Sequence, residues 1–387
     1  MYRTAEPIMR WHRENERYLV DRTPMASVGV VWSQRSVDFY GRETPEELTE
    51  QPLRGWMQAL VRARIPYVPV HVDQIDAMGG SLAVLILPNL GALADGQVAA
   101  IRRFVERGGA LIATGQTSLF DEWGDARPDF ALGDLFGVSR SGSAAPVRPS
   151  PERLRAGAAQ TYLRLTPELR ARVEGPHVAD EPRATEPRHP VLAGFDQTDI
   201  LAYGGALEPL RVAAGARVLA TFIPAFPAFP PETAWMREPR TGIPGLVVNE
   251  RGGARIAFVP AEIDRRYAID NLPDHGDLLA NLVRWAARDS IPLRVDGPGL
   301  LDVELYRQTD RLVLHIVNLT GVGSWRAPME EIVPVGPVSV RVRVGPRETE
   351  RVVRWRVGGR TERVVPRDGW LRLTLPLVRE HELALIE

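Results

Sequence analysis

Apolar residues recur along this chain in three rhythms, and the changes of rhythm divide it. Residues 5–20 space Ile8, Trp11, Tyr18 and Leu19 as a helix that ends before Pro24. The run Ala26-Ser27-Val28-Gly29-Val30-Val31-Trp32 is continuously apolar and reads as a buried parallel strand. Residues 45–64 place Leu48, Leu53, Trp56, Met57, Leu60 and Val61 at helical spacing. Strands over 67–72, 82–87 and 110–114 follow, with a helix over 96–107 between the last two. That helix directs Val98, Ile101, Phe104 and Val105 inward, and Gly108-Gly109 stops it. Alternating strands and helices predict a doubly wound, mostly parallel sheet.

From about residue 120 to 253 the rhythm loosens. Short strands are expected over 161–165, 201–207, 217–221 and 245–249, forming an elaborated edge. The proline-rich run 222–231 is excluded as a central strand, because proline donates nothing to a ladder. A strand over 255–260 and a helix over 277–288, burying Leu278, Leu279, Leu282, Val283 and Trp285, restore the pattern. After Pro292 the period drops to two, over 301–306, 311–317, 338–344, 352–357 and 370–375, as in an antiparallel sandwich. The expected class is α/β: a flavodoxin-like sheet with an elaborated edge, then a small all-β sandwich. The expected divisions are a linker helix at 1–25, an α/β domain at 26–290 and the sandwich at 291–387.

Composition removes several chemistries. The 387 residues include no cysteine, so disulfides, thiolate nucleophiles and zinc–thiolate sites are excluded. All 48 basic residues are arginine, which excludes Schiff-base and lysine general-base mechanisms and the lysine of a phosphate-binding Gly-x₄-Gly-Lys loop. A net charge of −1 offers no global field for nucleic acid or an anionic membrane. No apolar run reaches the length of a membrane span, and no secretory leader is evident, so a cytoplasmic location is expected. His177 and His189 lie apart in charged, proline-rich sequence, and no metal-ligand spacing is present, so no metal or cofactor is expected.

Four stretches stand out in order: 26–40 with its strand running on to Phe39-Tyr40-Gly41, Val84-Leu85-Ile86-Leu87-Pro88, 104–112, and 254–285 through Phe258-Val259-Pro260-Ala261-Glu262-Ile263. Together they resemble the region that follows the barrel in glycoside hydrolases related to family 42 β-galactosidases. That region is the β-galactosidase trimerisation domain, which is similar to a class I glutamine amidotransferase. The final sandwich resembles the small β domain such enzymes carry last. The resemblance implies a fold and an assembly role. The catalytic carboxylates of those hydrolases belong to a preceding (β/α)₈ barrel of roughly 250 residues, for which this sequence has no room. The chain is therefore expected to be a split subunit, a fragment or an independent descendant, with residues 1–20 resembling the linker that leaves the barrel.

The resemblance also implies a strand-to-helix elbow where the amidotransferase keeps its cysteine; here the strand over 110–114 runs into Gly115-Gln116-Thr117-Ser118. Ser118 with His275 as base is the serine alternative, set against a solvated capping turn at His275. Arg35, Asp38 and Tyr40 follow the first strand, where open α/β sheets bind ligands: Arg35 to clamp an anion, Tyr40 to stack. The other reading is a loop packed on a neighbouring subunit. Glu262, Asp264, Arg265 and Tyr267 follow the strand over 255–260. On an extended segment the two carboxylates would face one side as a hydrolytic pair, or form an ion-pair cluster with Arg265 and Arg266. Asp302 and Glu304 read as a solvated strand face, and Asn318-Leu319-Thr320 as an accidental glycosylation pattern.

The expected function is a non-catalytic assembly module that self-associates as a dimer or trimer, or docks a glycoside-hydrolase barrel. Its apolar contact patch is expected at 222–231 with Trp235 and Met236. One alternative is a glycan-processing enzyme with a cleft formed by Arg35, Asp38, Tyr40, Gln116, Glu262, Asp264, Arg265 and Tyr267. A carbohydrate-binding module, with Trp325, Trp355 and Trp370 in a row, is the third reading.

Overall fold

A computed structural model describes residues 2–141, 159–169, 186–205, 207–321, 331–346 and 349–387. His177 and Trp325 lie outside the described residues. The chain divides into two compact units, one of 27–63 with 69–290, the other of 1–26, 64–68 and 291–387.

In the sheet of the α/β unit, continuous apolar runs form β1 (Val28–Trp32), β3 (Val84–Leu87) and β4 (Ala110–Thr114), with the more polar β2 (Tyr67–His71) at one edge. Then come β5 (Ala159–Leu165), β6 (Ile200–Ala202), β7 (Arg217–Pro227), β8 (Pro244–Arg251) and β9 (Ala254–Val259). Among the described residues they make one nine-stranded sheet in the order β2-β1-β3-β4-β9-β8-β7-β5-β6. The sheet is mixed. β1, β3, β4 and β9 pair in parallel, with Val28 beside Val84, Val84 beside Ala110 and Leu111 beside Ile256. Every pairing beyond β9 is antiparallel. Helices α2 (Gln51–Ala63), α3 (Asp95–Glu106), α4 (Ile263–Asp270) and α5 (Pro273–Ala287) complete the unit, α1 being Tyr2–Asn15.

The proline-rich run departs from its expectation. β7 extends through Pro227 and is bonded on both sides, to β8 and β5. The prolines fit because the β5 register shifts between Ile223 and Phe226, around Pro224, and because the β8 ladder has already ended at Thr221. Phe222 and Phe226 are buried, Phe226 stacked on Tyr162 at 5.5 Å, so neither belongs to an exposed patch. Phe229 and Trp235 do remain exposed, at 75% and 56%.

The second unit holds β10 (Leu293–Asp296), β11 (Leu301–Arg307), β12 (Leu312–Asn318), β13 (Val338–Arg343), β14 (Arg351–Trp355), β15 (Thr361–Val364), β16 (Trp370–Leu375) and β17 (His381–Ile386). Thr23–Pro24 joins β11, and the six-stranded sheet continues β11-β12-β17-β14-β15; the smaller sheet is β10-β13-β16. Inward residues of both sheets share one core, Val303, Leu305, Leu314 and Ile316 from the larger with Val340, Val342, Leu371 and Leu373 from the smaller. Trp355 is buried there with its Nε1 donating to Glu362, and Trp370 sits between Arg294 and Arg343. A sugar-stacking row is thus not formed by these two tryptophans.

The larger sheet is also covered on its outer face. Trp11, Tyr18 and Leu19 pack with Tyr306, Val313, Leu383 and Leu385. On the same face Asp302 and Glu304 are half-buried rather than solvated, and burial pushes the Glu304 carboxyl up to about 7. Asn318 uses its amide to tie Val333 and Arg379 carbonyls, 2.8 and 2.7 Å away, a structural role.

Candidate functional site

The carboxyl ends of β1, β3, β4 and β9 carry a continuous polar network. Because β2 and β3 lie on opposite sides of β1, the sheet's order reverses there, which opens a crevice at the carboxyl end of β1 and β3. The segment after β1 is not a loop: Ser36–Gly41 winds into a wide π-helical turn that swings Tyr40 inward. The Tyr40 ring lies over Gly91, where a Cβ would come within 2.7 Å of it, and against Phe120 at 4.9 Å. The ring is buried, packed between Gly91 and Phe120.

The Tyr40 hydroxyl is 2.9 Å from Gln116 Oε1 and accepts from Asn89 Nδ2 at 3.0 Å. Asn89, at positive φ just beyond β3, organises the crevice. Its Nδ2 donates to the Leu48 carbonyl at 2.8 Å, and its Oδ1 accepts from the Gln116 amide at 2.7 Å. Gly115 must be glycine here, since its φ is +59° and a Cβ would lie 2.3 Å from Asn89 Oδ1. Gln116 Nε2 donates to Glu208 at 2.9 Å, and Glu208 also accepts from Arg140 at 3.2 Å.

A second chain of bonds runs from β4 to α4. The Asn89 amide donates to Thr114 Oγ1 at 2.9 Å, and that hydroxyl donates to Asp264 Oδ2 at 2.5 Å. Asp264 Oδ1 accepts from the Arg265 amide at 2.8 Å. No part of Asp264 reaches solvent, and burial pushes its carboxyl up to about 7 against the pull of these two donors. The neighbouring residues correct the extended pair expected from sequence. Glu262 precedes the first turn of α4 and Asp264 lies within it. Glu262 pairs with Arg265 at 2.8 Å, and Arg265 also reaches Glu47 at 2.5 Å and Gln51 at 3.1 Å. The Glu262 amide is bonded to Tyr203, whose phenol burial holds well above its ordinary range.

The network gathers Tyr40, Gln116, Glu262, Asp264 and Arg265, each spent on a partner within the fold. Arg35 and Asp38 are exposed on the π turn, Arg35 over the Trp123 ring at 5.7 Å and Asp38 accepting from Gln34 at 2.9 Å. Tyr267 is buried against Gly276 of α5. Asn89, Thr114, Glu208 and Arg140 escaped sequence reasoning. Only Asn89, in Pro88-Asn89 just past a buried strand, left a signal, because asparagine tolerates positive φ.

Ser118 and His275 do not form a dyad. Ser118 is buried at positive φ with its Oγ accepting from the Leu132 amide at 3.2 Å. His275 is buried rather than solvated. Its Nε2 bonds the Ala202 carbonyl at 2.7 Å, and burial lowers its pKa. Beside the network lies an open cavity of about 370 Å³, rimmed by Tyr40, Arg42, Thr44, Glu47 and Gln116. Among the described residues no cluster of three His, Asp or Glu is placed to hold a metal, and no helix is long and apolar enough to cross a membrane.

The fold and crevice define a mixed α/β unit joined to an antiparallel β unit. Comparison with solved structures finds that pair elsewhere. An α-L-fucosidase isoenzyme 2 from Paenibacillus thiaminolyticus superposes with a TM-score of 0.70 at 16% identity, over 97% of this chain and 50% of that one. A β-galactosidase from Bacillus circulans sp. alkalophilus gives 0.62 at 15% identity, over 100% and 45%. Gan42B, a GH42 β-galactosidase, gives 0.56 at 13%, over 93% and 40%. The chain thus spans half or less of the length of these enzymes and shares a fold with that portion. No family model and no curated protein sequence matches it.

Proposed function

We propose that this chain is a non-catalytic assembly module of a glycoside-hydrolase-related protein. Its α/β unit would be a flavodoxin-like, amidotransferase-type trimerisation domain, and its partners a second copy of itself or a hydrolase barrel. The observation that carries this reading is the network at the strand ends. Tyr40, Asn89, Thr114, Gln116, Glu208, Glu262, Asp264 and Arg265 bond one another, which fixes the loops there and leaves no carboxylate poised for a substrate. Asp264 has the raised pKa of a general acid but no exposed surface through which to act. The fold shared with half of the fucosidase chain supports the same reading.

The test is light-scattering mass over a concentration series, with turnover of aryl galactosides and aryl fucosides in parallel. A dimer or trimer without turnover is expected, and replacing exposed Phe229 and Trp235 by serine should weaken it. A monomer at about 50 μM, above the dissociation constants of stable complexes, overturns the assembly reading. Turnover abolished by Glu262→Gln would instead establish the enzyme reading.

A further inference from the structure

The antiparallel unit contains an open cavity of about 510 Å³, apart from the network above and wholly within 1–26 and 291–387. Its apolar floor includes Met25, Leu312 and Ile386, while Arg307, Arg311, Arg343 and Arg351 bring four guanidinium groups to its lining. Among the described residues the lining holds a single carboxylate, Asp310, and Arg311 takes both of its oxygens at 2.8 and 2.6 Å. Glu387, nearby, is shared by Arg311 and Arg354 at 3.2 Å each. Among the described residues the other three arginines have no carboxylate partner.

Two of these three are held ready. Arg343 lies over the Trp370 ring at 4.8 Å, which fixes the guanidinium plane and leaves its N–H edge available. Arg351 lines the cavity, and its Nε is buried with no acceptor among the described residues, a costly orphan donor just behind that lining. Surface arginines ordinarily point to water or a carboxylate; among the described residues an unsatisfied buried donor lies beside two uncompensated charges, an arrangement suited to an added oxyanion. The volume sets the size of that acceptor's carrier. A water occupies roughly 30 Å³, so the cavity far exceeds what a lone inorganic anion fills and falls within the usual range for small organic ligands.

We propose that this cavity binds a small organic oxyanion. Its carboxylate, phosphate or sulfate group engages Arg343 and Arg351, Arg307 adds charge at the rim, and the less polar body lies on Met25, Leu312 and Ile386. The site is independent of the assembly role, since it uses none of the residues invoked there.

Calorimetric titration tests it with four probes: glucuronate, glucose 6-phosphate, inorganic phosphate and glucose. At low ionic strength one or both sugar anions should bind and glucose should not. Which anion binds more tightly separates a carboxylate from a phosphate headgroup. Affinity should drop at least about tenfold in the Arg343→Gln/Arg351→Gln variant, the scale of a lost charge-assisted contact, and should weaken with added salt. Arg307→Gln, at an exposed strand end, guards against misfolding of the double variant and should weaken binding by a smaller factor. The proposal is overturned if no anion binds at about 10 mM, weaker than any functional small-molecule affinity, or if binding is unchanged in a folded variant. Inorganic phosphate binding as tightly as glucose 6-phosphate would remove the organic body from it.

Discussion

Asp264 should make the stability of the α/β unit fall as pH rises through neutrality, and Asp264→Asn should remove that fall. The unfolded carboxyl titrates near 4, whereas burial raises the folded one to about 7. Between these values the native state holds the proton more tightly than the unfolded chain. Stability is therefore highest below pH 4 as far as this group is concerned, and declines from there until pH passes 7. From pH 5 to pH 7 the slope approaches about 1.4 kcal/mol per unit and then halves as the folded group itself titrates, so the decline is roughly 2 kcal/mol. Asparagine keeps an acceptor for the Thr114 hydroxyl and cannot ionise, so at pH 5 the variant should resemble the wild type or lie about 1 kcal/mol below it. At pH 8 it should be the more stable by about 2 kcal/mol. Urea unfolding of both proteins at pH 5, 6, 7 and 8 measures the difference. Other titrating groups, Glu304 among them, are common to both proteins and cancel. Parallel stability–pH curves would refute the reasoning, because they would mean that Asp264 ionises in the fold as freely as in the unfolded chain.

Gly55→Ala should destabilise the α/β unit by about 2–4 kcal/mol despite alanine's helix preference, since the new Cβ would meet the Asp264 carbonyl at 1.9 Å and drive α2 from α4; thermal unfolding reads the sign. Phe226→Ser should cost about 3 kcal/mol and Phe229→Ser under about 0.5, the contrast between a buried stacked ring and an exposed one in the same melting experiment. His315, which burial lowers to about 4, holds its proton less well in the fold than unfolded, so stability is lost as pH falls from 6.5 toward 4. His315→Gln should flatten that acid limb by roughly 1–2 kcal/mol after allowance for its partial exposure, as seen in melts at pH 4.5 and 7.

Much of the sheet was legible because a buried parallel strand writes itself as an apolar run and a glycine pair ends a helix. Strand β4 falls on the residues expected, and Gly108-Gly109 sits where α3 stops. What sequence misplaced depended on partners distant along the chain. Proline in a strand looked prohibitive until the bulge around Pro224 and the early end of the β8 ladder made room for it. Asp302 and Glu304 alternate with apolar residues as a solvated face would, but Trp11, Tyr18 and Leu19, almost three hundred residues earlier, cover that side of the sheet.

The geometry at the strand ends was harder to read. The residue types at the strand ends were recognised as polar and suitably placed, yet their role turns on geometry that spacing does not encode. Glu262 and Asp264 are two apart, which on a strand would aim both carboxylates one way. The chain instead enters α4 between them, so Glu262 pairs with Arg265 while Asp264 turns inward onto Thr114. Short α4 gave little warning, since its buried face mixes Ile263 and Tyr267 with the carboxyl of Asp264. The consequence reaches function. A pair on a strand would have left two acids facing a cleft. The helical turn makes Glu262 an ion-pair partner of Arg265 and Asp264 a buried link between β4 and α4.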